Sequence, residues 1–250
     1  MGGFYYYPEK SYQVNKEGES KEYKLTSDAN GNIIVPDELK RRLGLKDRAE
    51  LKVVVHKDRI ELFPNIHSLS KVYIEPTTLC NLTCQTCVRN TWKEPIGEMS
   101  LDTFDNLVEQ LKDFQDLEAV MFGGFGEPTY HKKILYMIGR IKSLGINVEM
   151  TTNGTLLDED MVKGLFANKL DTLWVSIDGV DEGIFENIRK GASYKSVTEN
   201  LQLIKSINEK SRHKIKVGIA FVVMKENVNS LGNLHKLAHK VGATMISVSN

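Results

Sequence analysis

From residue 71 the chain repeats one rhythm, a short apolar run, a polar or glycine-bearing loop, then an amphipathic stretch, and a sixth apolar run ends it. The apolar runs are residues 72–75, 117–122, 146–151, 172–177, 214–223 and 244–248. Helices are expected over 101–114, 131–144, 158–166, 181–188, 197–210 and 228–240, with Ser100 capping the first and Gly145 and Gly242 following two others. Apolar residues follow one another in the runs with little alternation, as expected of strands covered by helices. Repeated strand–helix units imply a parallel sheet with right-handed crossovers. Six units suit an open, partial (β/α)6 barrel, an α/β fold whose reactive groups collect at the C-terminal ends of the strands. The chain stops two residues after the sixth run, before a helix that would cover it, so a truncated product with more protein beyond Asn250 is expected.

The first strand end leads into Cys80, Cys84 and Cys87, the only cysteines of the chain, spaced CxxxCxxC. Three thiols in one short loop point to a metal before a disulfide. A structural zinc normally needs a fourth ligand, and the nearest histidines, His67 and His131, lack zinc-finger spacing. Iron–sulfur cubanes usually take four thiolates, so three leave one iron open to a small molecule. The plain alternative is a buried apolar trio, but Asn81, Thr83, Gln85 and Thr86 make the loop polar.

Other strand ends carry their own candidates. After the second comes Gly123-Gly124-Phe125-Gly126-Glu127-Pro128, where missing side chains let a ligand approach the backbone; a tight βα turn is the competing explanation. After the third come Thr152, Asn153 and Gly154, which also read as an Asx-type turn. The fourth ends in Ser176 and Asp178, the latter equally placed to cap the next helix. Arg189 follows, with a guanidinium suited to a carboxylate or to solvent at a helix end. Gly218 and its small neighbours in the fifth strand leave room for a ligand or for ordinary packing.

Over residues 70 to 248 these motifs together resemble the radical S-adenosylmethionine (SAM) superfamily. The resemblance implies a [4Fe–4S] cluster on Cys80, Cys84 and Cys87 and SAM as the second cofactor. It implies contacts to SAM from Gly123, Gly124, Glu127, Thr152, Asn153, Ser176, Asp178, Arg189 and Gly218. The Gly-Gly turn would meet the amino group through backbone carbonyls or Glu127, and Arg189 would meet the carboxylate. Two departures stand out: Thr86 replaces the usual aromatic residue before the third cysteine, and Phe125-Gly126 is inserted ahead of Glu127. Within the superfamily the chain resembles the maturases of tungsten-containing aldehyde ferredoxin oxidoreductases, in the group with cysteine-rich SPASM extensions. The activity implied is reductive cleavage of SAM to a 5′-deoxyadenosyl radical. The partners implied are a low-potential electron donor such as ferredoxin or flavodoxin and a protein or peptide substrate, with a tungstoenzyme as the first candidate.

Residues 1 to 20 read as an irregular arm, and 21 to 64 as a small separate unit of strands at 23–26, 33–35, 51–55 and 60–63 around a helix starting at Asp37 and stopped by Gly44. Fewer than 50 residues scarcely build a core, so docking or homodimerisation is expected. Gly31-Asn-Ile-Ile-Val-Pro36, Leu39, Leu43 and Leu45 resemble the swapped-hairpin domain of the AbrB/SpoVT type, often a DNA binder. Lys40, Arg41, Arg42 and Lys46 would form the phosphate-contacting patch, or simply a solvated helix face. Residues 21–64 hold ten Lys or Arg against eight Asp or Glu, and the whole chain balances at 33 each, which argues against DNA as the main partner.

No run of about 18 apolar residues exists and the N-terminus lacks a signal-peptide pattern, so no membrane span and a cytoplasmic location are expected. Three functions remain: a radical SAM maturase for a tungstoenzyme, its cofactor or an associated peptide; a radical SAM enzyme modifying an unrelated ribosomal peptide; and an AbrB-like regulator with an iron–sulfur sensor.

Overall fold

A computed structural model describes residues 24–43, 45, 51–64, 69–114 and 116–250. Chain contacts divide it into two compact units, Met1–His67 and Ser68–Asn250.

In the first unit β1 (Thr26–Ser27) and β2 (Ile33–Ile34) form an antiparallel hairpin with Thr26 opposite Ile34. Asp28 organises its turn, accepting from the backbone of Asn30 and Asn32 at 2.9 and 2.8 Å and from Asn32 Nδ2 at 2.9 Å. These donors, the Asn32 side chain foremost, hold its carboxyl below the usual range. Gly31 takes the positive φ (81°) that the turn requires. A short helix, α1 (Asp37–Leu43), follows, and β3 (Leu51–Val55) pairs with β4 (Ile60–Pro64) in a second antiparallel hairpin. Two local hairpins and one helix are not specifically those of the AbrB type. The N-terminal arm, the Gly44 stop, Lys46 and His67 lie outside the described residues.

The second unit is the expected parallel α/β barrel. Its strands are β5 (Lys71–Ile74), β6 (Ala119–Phe122), β7 (Asn147–Thr152), β8 (Thr172–Ser176), β9 (Lys216–Val222) and β10 (Met245–Ser249). They lie in sequential order and every neighbouring pair is parallel. β5 and β10 are edges, so the sheet stays open. Helices α2 (Leu101–Leu111), α3 (Ile134–Lys142), α4 (Glu159–Ala167), α5 (Glu182–Ile188), α6 (Tyr194–Lys210) and α7 (Leu234–Val241) connect the strands, α5 and α6 together between β8 and β9.

Local chemistry sets the helix starts. Ser100, Asp158, Asp181 and Ser193 each accept the backbone N–H three residues on, which satisfies one of the open donors of the first turn. Ser193 therefore starts α6 three residues before the expected position. α3 starts three residues later than expected, because a 3-10 turn at Pro128–Tyr130, capped by Glu127, precedes it.

Burial corrects one expectation. Val120 and Phe122, Val148 and Met150, Leu173 and Val175, and Val217 and Ile219 are all buried in the helix-covered core. Met121 and Glu149, between the first two pairs, are only half-buried, as are Thr151 and Ala220, whereas Trp174 and Gly218, between the last two pairs, are buried. Inward and outward positions alternate along barrel strands, so one face of each strand meets helices and the other looks into the concave interior. Along β10 the helix-side residues Ile246 and Val248 are 40% and 52% exposed. Among the described residues no helix is long and apolar enough to cross a membrane.

Candidate functional site

The cysteine loop leaves β5 at Ile74 and is held at several points. Thr78 N donates to Gly97 O (2.9 Å), Gly97 N donates to Thr78 Oγ1 (2.8 Å), and Thr77 Oγ1 donates to Gly97 O (3.1 Å). Further along, Thr83 N donates to Lys190 O (3.1 Å) and Gln85 N to Ile188 O (2.9 Å), which moors the loop to the C-terminal end of α5. Leu82 is buried against Gly191, whose φ of 95° and close approach to the Leu82 side chain favour glycine there.

All three cysteines are free thiols and half-buried. Leu82 N donates to Cys80 Sγ at 3.4 Å, and Asn153 Nδ2 approaches the same sulfur at 3.8 Å. Burial pushes the Cys80 thiol up, and the Glu127 charge adds to this while Arg89 opposes it. Burial also pushes Cys84 up, with Arg189 opposing and the neighbouring Cys80 and Cys87 adding. Among the described residues no three His, Cys, Asp or Glu side chains stand gathered as a metal site.

Asn153 joins the cysteine loop to the end of β7. Its Nδ2 donates to Asn81 Oδ1 (2.9 Å), while Asn81 Nδ2 donates to Thr155 Oγ1 (2.8 Å). Its own Oδ1 accepts from the Thr155 backbone and hydroxyl at 2.9 and 2.7 Å. Glu127, only 2% exposed, accepts from Thr129 N (3.0 Å), Thr129 Oγ1 (2.6 Å), Thr152 Oγ1 (2.7 Å) and Asn153 N (2.6 Å). Its carboxylate is thus engaged from within the chain. Thr152 is occupied too, donating to Glu127 and accepting from Gly154 N at 3.1 Å.

The glycine turn after β6 is wrapped around Glu75, a residue the motif reading passed over. Glu75 Oε1 accepts from Phe125 N (2.5 Å) and Gly126 N (3.2 Å). Gly124 has φ 129°, and a Cβ there would fall 2.4 Å from Glu75 Oε1. A Cβ on Gly123 would overlap the Tyr73 hydroxyl. The inserted Phe125 stacks edge-on against Trp92, ring centroids 5.2 Å apart. Glu75 and Tyr73 lie on alternate inward positions of one strand and its exit. That alternation is the signal in the sequence that could have found them.

Asp178 is fully buried and does not cap α5; Asp181 does. Instead Asp178 Oδ1 accepts from Val222 N (2.8 Å), and its Oδ2 lies 2.7 Å from Arg189 Nη2 in an ion pair whose angle falls outside hydrogen-bond geometry. Asn227 Nδ2, on a buried side chain, bonds both Asp178 O (3.0 Å) and Val222 O (2.8 Å). Arg189 Nε is buried without a hydrogen bond. Ser176 ends β8, half-buried beside Ala220. The space at Gly218 belongs to Trp174, whose ring would lie 2.4 Å from an added Cβ.

The barrel agrees with what the chain is similar to. The profile described as the Radical SAM superfamily matches residues 74–238. The chain belongs to the radical SAM superfamily. It is 31% identical over 183 residues to the tungsten-containing aldehyde ferredoxin oxidoreductase cofactor-modifying protein of Pyrococcus furiosus, covering 72% of this chain and 51% of that protein. It is 26% identical over 171 residues to the mycofactocin maturase MftC of Mycobacterium ulcerans, covering 68% of this chain and 44% of that one. The chain therefore spans about half the length of these curated relatives. Among solved structures, Streptococcus suis SuiB bound to S-adenosylmethionine superposes with a TM-score of 0.59 at 23% identity, covering 72% of this chain and 40% of that one. Native anSMEcpe with bound AdoMet gives 0.59 at 22% identity, covering 72% and 52%. These two likenesses concern the fold.

Proposed function

We propose that Cys80, Cys84 and Cys87 hold a [4Fe–4S] cluster and that the chain serves maturation of a tungsten-containing aldehyde ferredoxin oxidoreductase, its cofactor or an associated peptide. The observation that carries the cluster is the loop itself: three half-buried free thiols at a strand's C-terminal end, one of them already accepting N–H donors. Such donors stabilise anionic, cluster-bound sulfur. Buried guanidinium N–H groups of Arg89 and Arg189 without partners fit an anionic group beside them. When bound, the cluster supplies one low-potential electron to the sulfonium of SAM.

The chain's residues divide into those that hold the site and those that meet SAM. Glu127, Thr152 and Asn153 brace the turns after β6 and β7 against the cysteine loop. Glu75 turns the Phe125 and Gly126 amides inward and so fixes the backbone at Gly123 and Gly124, which meets the amino group of SAM. Arg189, held by Asp178, offers its Nε to the SAM carboxylate, and Ser176 faces the ribose region. Gly218 acts by accommodating Trp174. A reduced ferredoxin or flavodoxin supplies the electron.

The Pyrococcus furiosus likeness supports the tungstoenzyme reading, and the likeness to a mycofactocin maturase supports modification of a different partner as the second. For the small N-terminal unit, exposed Ile33, Ile34, Val53 and Val55 support pairing with a second copy over DNA binding. Anaerobic reconstitution tests the core of the proposal. The wild-type chain should take up iron and sulfide and release 5′-deoxyadenosine, and Cys84→Ala should do neither. Full cleavage by Cys84→Ala would refute the ligand set. Activation of a coexpressed tungsten-containing aldehyde ferredoxin oxidoreductase tests the substrate, and no activation would leave the second reading.

A further inference from the structure

We infer that Arg89 is the uncompensated positive charge that sets the reduction potential of the group carried by Cys80, Cys84 and Cys87, an inference that rests on the cluster reading above. Arg89 lies two residues beyond Cys87, in the 3-10 turn Val88–Thr91. Its guanidinium folds back over the loop, and Nη2 donates to Leu82 O at 2.6 Å. The amide of the same residue, Leu82, donates to Cys80 Sγ at 3.4 Å. One residue thus ties Arg89 to the first sulfur.

Two independent observations mark this guanidinium as facing an anion. Among the described residues its buried Nε has no hydrogen-bond partner, a costly state for a charged donor. Among the described residues it also has no carboxylate within ion-pair distance, unlike Arg140 on Asp105 or Arg189 on Asp178. The charge of Arg189 is largely neutralised by Asp178 at 2.7 Å, whereas that of Arg89 is not.

The consequence follows from charge alone. Reduction adds one electron, drawn from a low-potential one-electron donor, and no bond or proton moves at Arg89. A nearby positive charge stabilises the reduced form and raises the potential.

The test uses the full chain, reconstituted anaerobically, with redox titration followed by electron paramagnetic resonance. Arg89→Gln should lower the reduced-to-oxidised ratio at fixed ambient potential about tenfold, which is about 59 mV for a one-electron couple. Arg89→Lys keeps the charge and should titrate close to wild type. Retention of the cluster by Arg89→Lys but not by Arg89→Gln would also support the charge role. The inference is overturned if Arg89→Gln titrates with wild type, or if Arg89→Lys falls as far as Arg89→Gln. Loss of the cluster in both variants would likewise overturn it, by assigning Arg89 to packing. A wild-type chain that takes up no cluster would instead sink the cluster reading itself, and this inference with it.

Discussion

The backbone amide of Asn153 donates to Glu127 Oε2 at 2.6 Å, fastening the turn after β7 to the turn after β6. Through the Asn153 side chain the same linkage reaches Asn81, between the first two cysteines. Glu127→Gln puts a donor where the chain supplies only donors, so at least one of the four bonds breaks. Hydrogen bonds to a buried charge are worth about 1.5–3 kcal/mol, and a loss of about 2 kcal/mol is expected. Urea unfolding of the cluster-free chain measures it; a change within about 0.5 kcal/mol, as for a neutral surface substitution, would count against the brace.

Glu75 and the glycine turn give a second prediction. Glu75→Ala should release the Phe125 and Gly126 amides to faster hydrogen exchange, while Glu75→Gln keeps an acceptor and most of the protection. Gly124→Ala should destabilise by about 1–3 kcal/mol, since its φ of 129° is strained for alanine and its Cβ would strike Glu75. Burial, and behind it the Glu75 charge, pushes the Tyr73 phenol above its ordinary pKa. A negative neighbour resists a second negative charge, so Glu75→Gln should bring that pKa down part of the way. Tyrosine-labelled NMR titration reads the shift, and an unchanged or higher value would contradict the coupling.

Trp174 and Gly218 share one space across β8 and β9. Gly218→Ala should overpack it and cost about 1–3 kcal/mol, with a shifted tryptophan fluorescence. Trp174→Phe in the same chain should recover part of the loss, because the smaller ring leaves room for the methyl group. Equal stability of Gly218→Ala and wild type would return the position to the list of ligand-facing candidates.

Asp178 and Arg189 form a pair with side chains 0% and 12% exposed. Removing one partner strands the other charge in a dry setting. Asp178→Asn and Arg189→Gln should therefore each destabilise by about 3–5 kcal/mol. The double variant should cost clearly less than their sum, and strict additivity in the unfolding cycle would deny the pairing.

Much of this was legible in the residues themselves. The βα rhythm placed all six strands, since strand and helix periods are local properties. Ser100 and Gly242 marked helix ends through their own hydrogen-bonding and φ preferences, and Asp28 with Gly31 marked a turn for the same reason. The cysteine spacing marked the loop because three thiols have few other uses. The strands' apolar content misled in one respect, suggesting cover on both faces. Only the barrel's curvature reveals that Glu149 and Thr151 look inward.

Less legible were the partners. Glu127, Thr152 and Asn153 stood out as polar residues beside glycines, and the sequence offered no way to tell a ligand contact from a brace. Glu127 meets Asn153 across 26 positions and Glu75 meets Phe125 across 50. Those separations close only when parallel strands bring their C-terminal ends side by side.

By itself, then, the sequence determined the element order, the superfamily and the gathering of all three thiols in one loop, because periodicity, capping and motif spacing are short-range properties. Tertiary structure decided which groups are already occupied. Glu127 is claimed by two neighbouring turns, Gly218 by an indole and Asp178 by Arg189, while Arg89, bonded to Leu82 O, has no carboxylate partner among the described residues. Such outcomes depend on burial and on which distant side chains arrive within hydrogen-bonding reach, and these are fixed only when the sheet assembles.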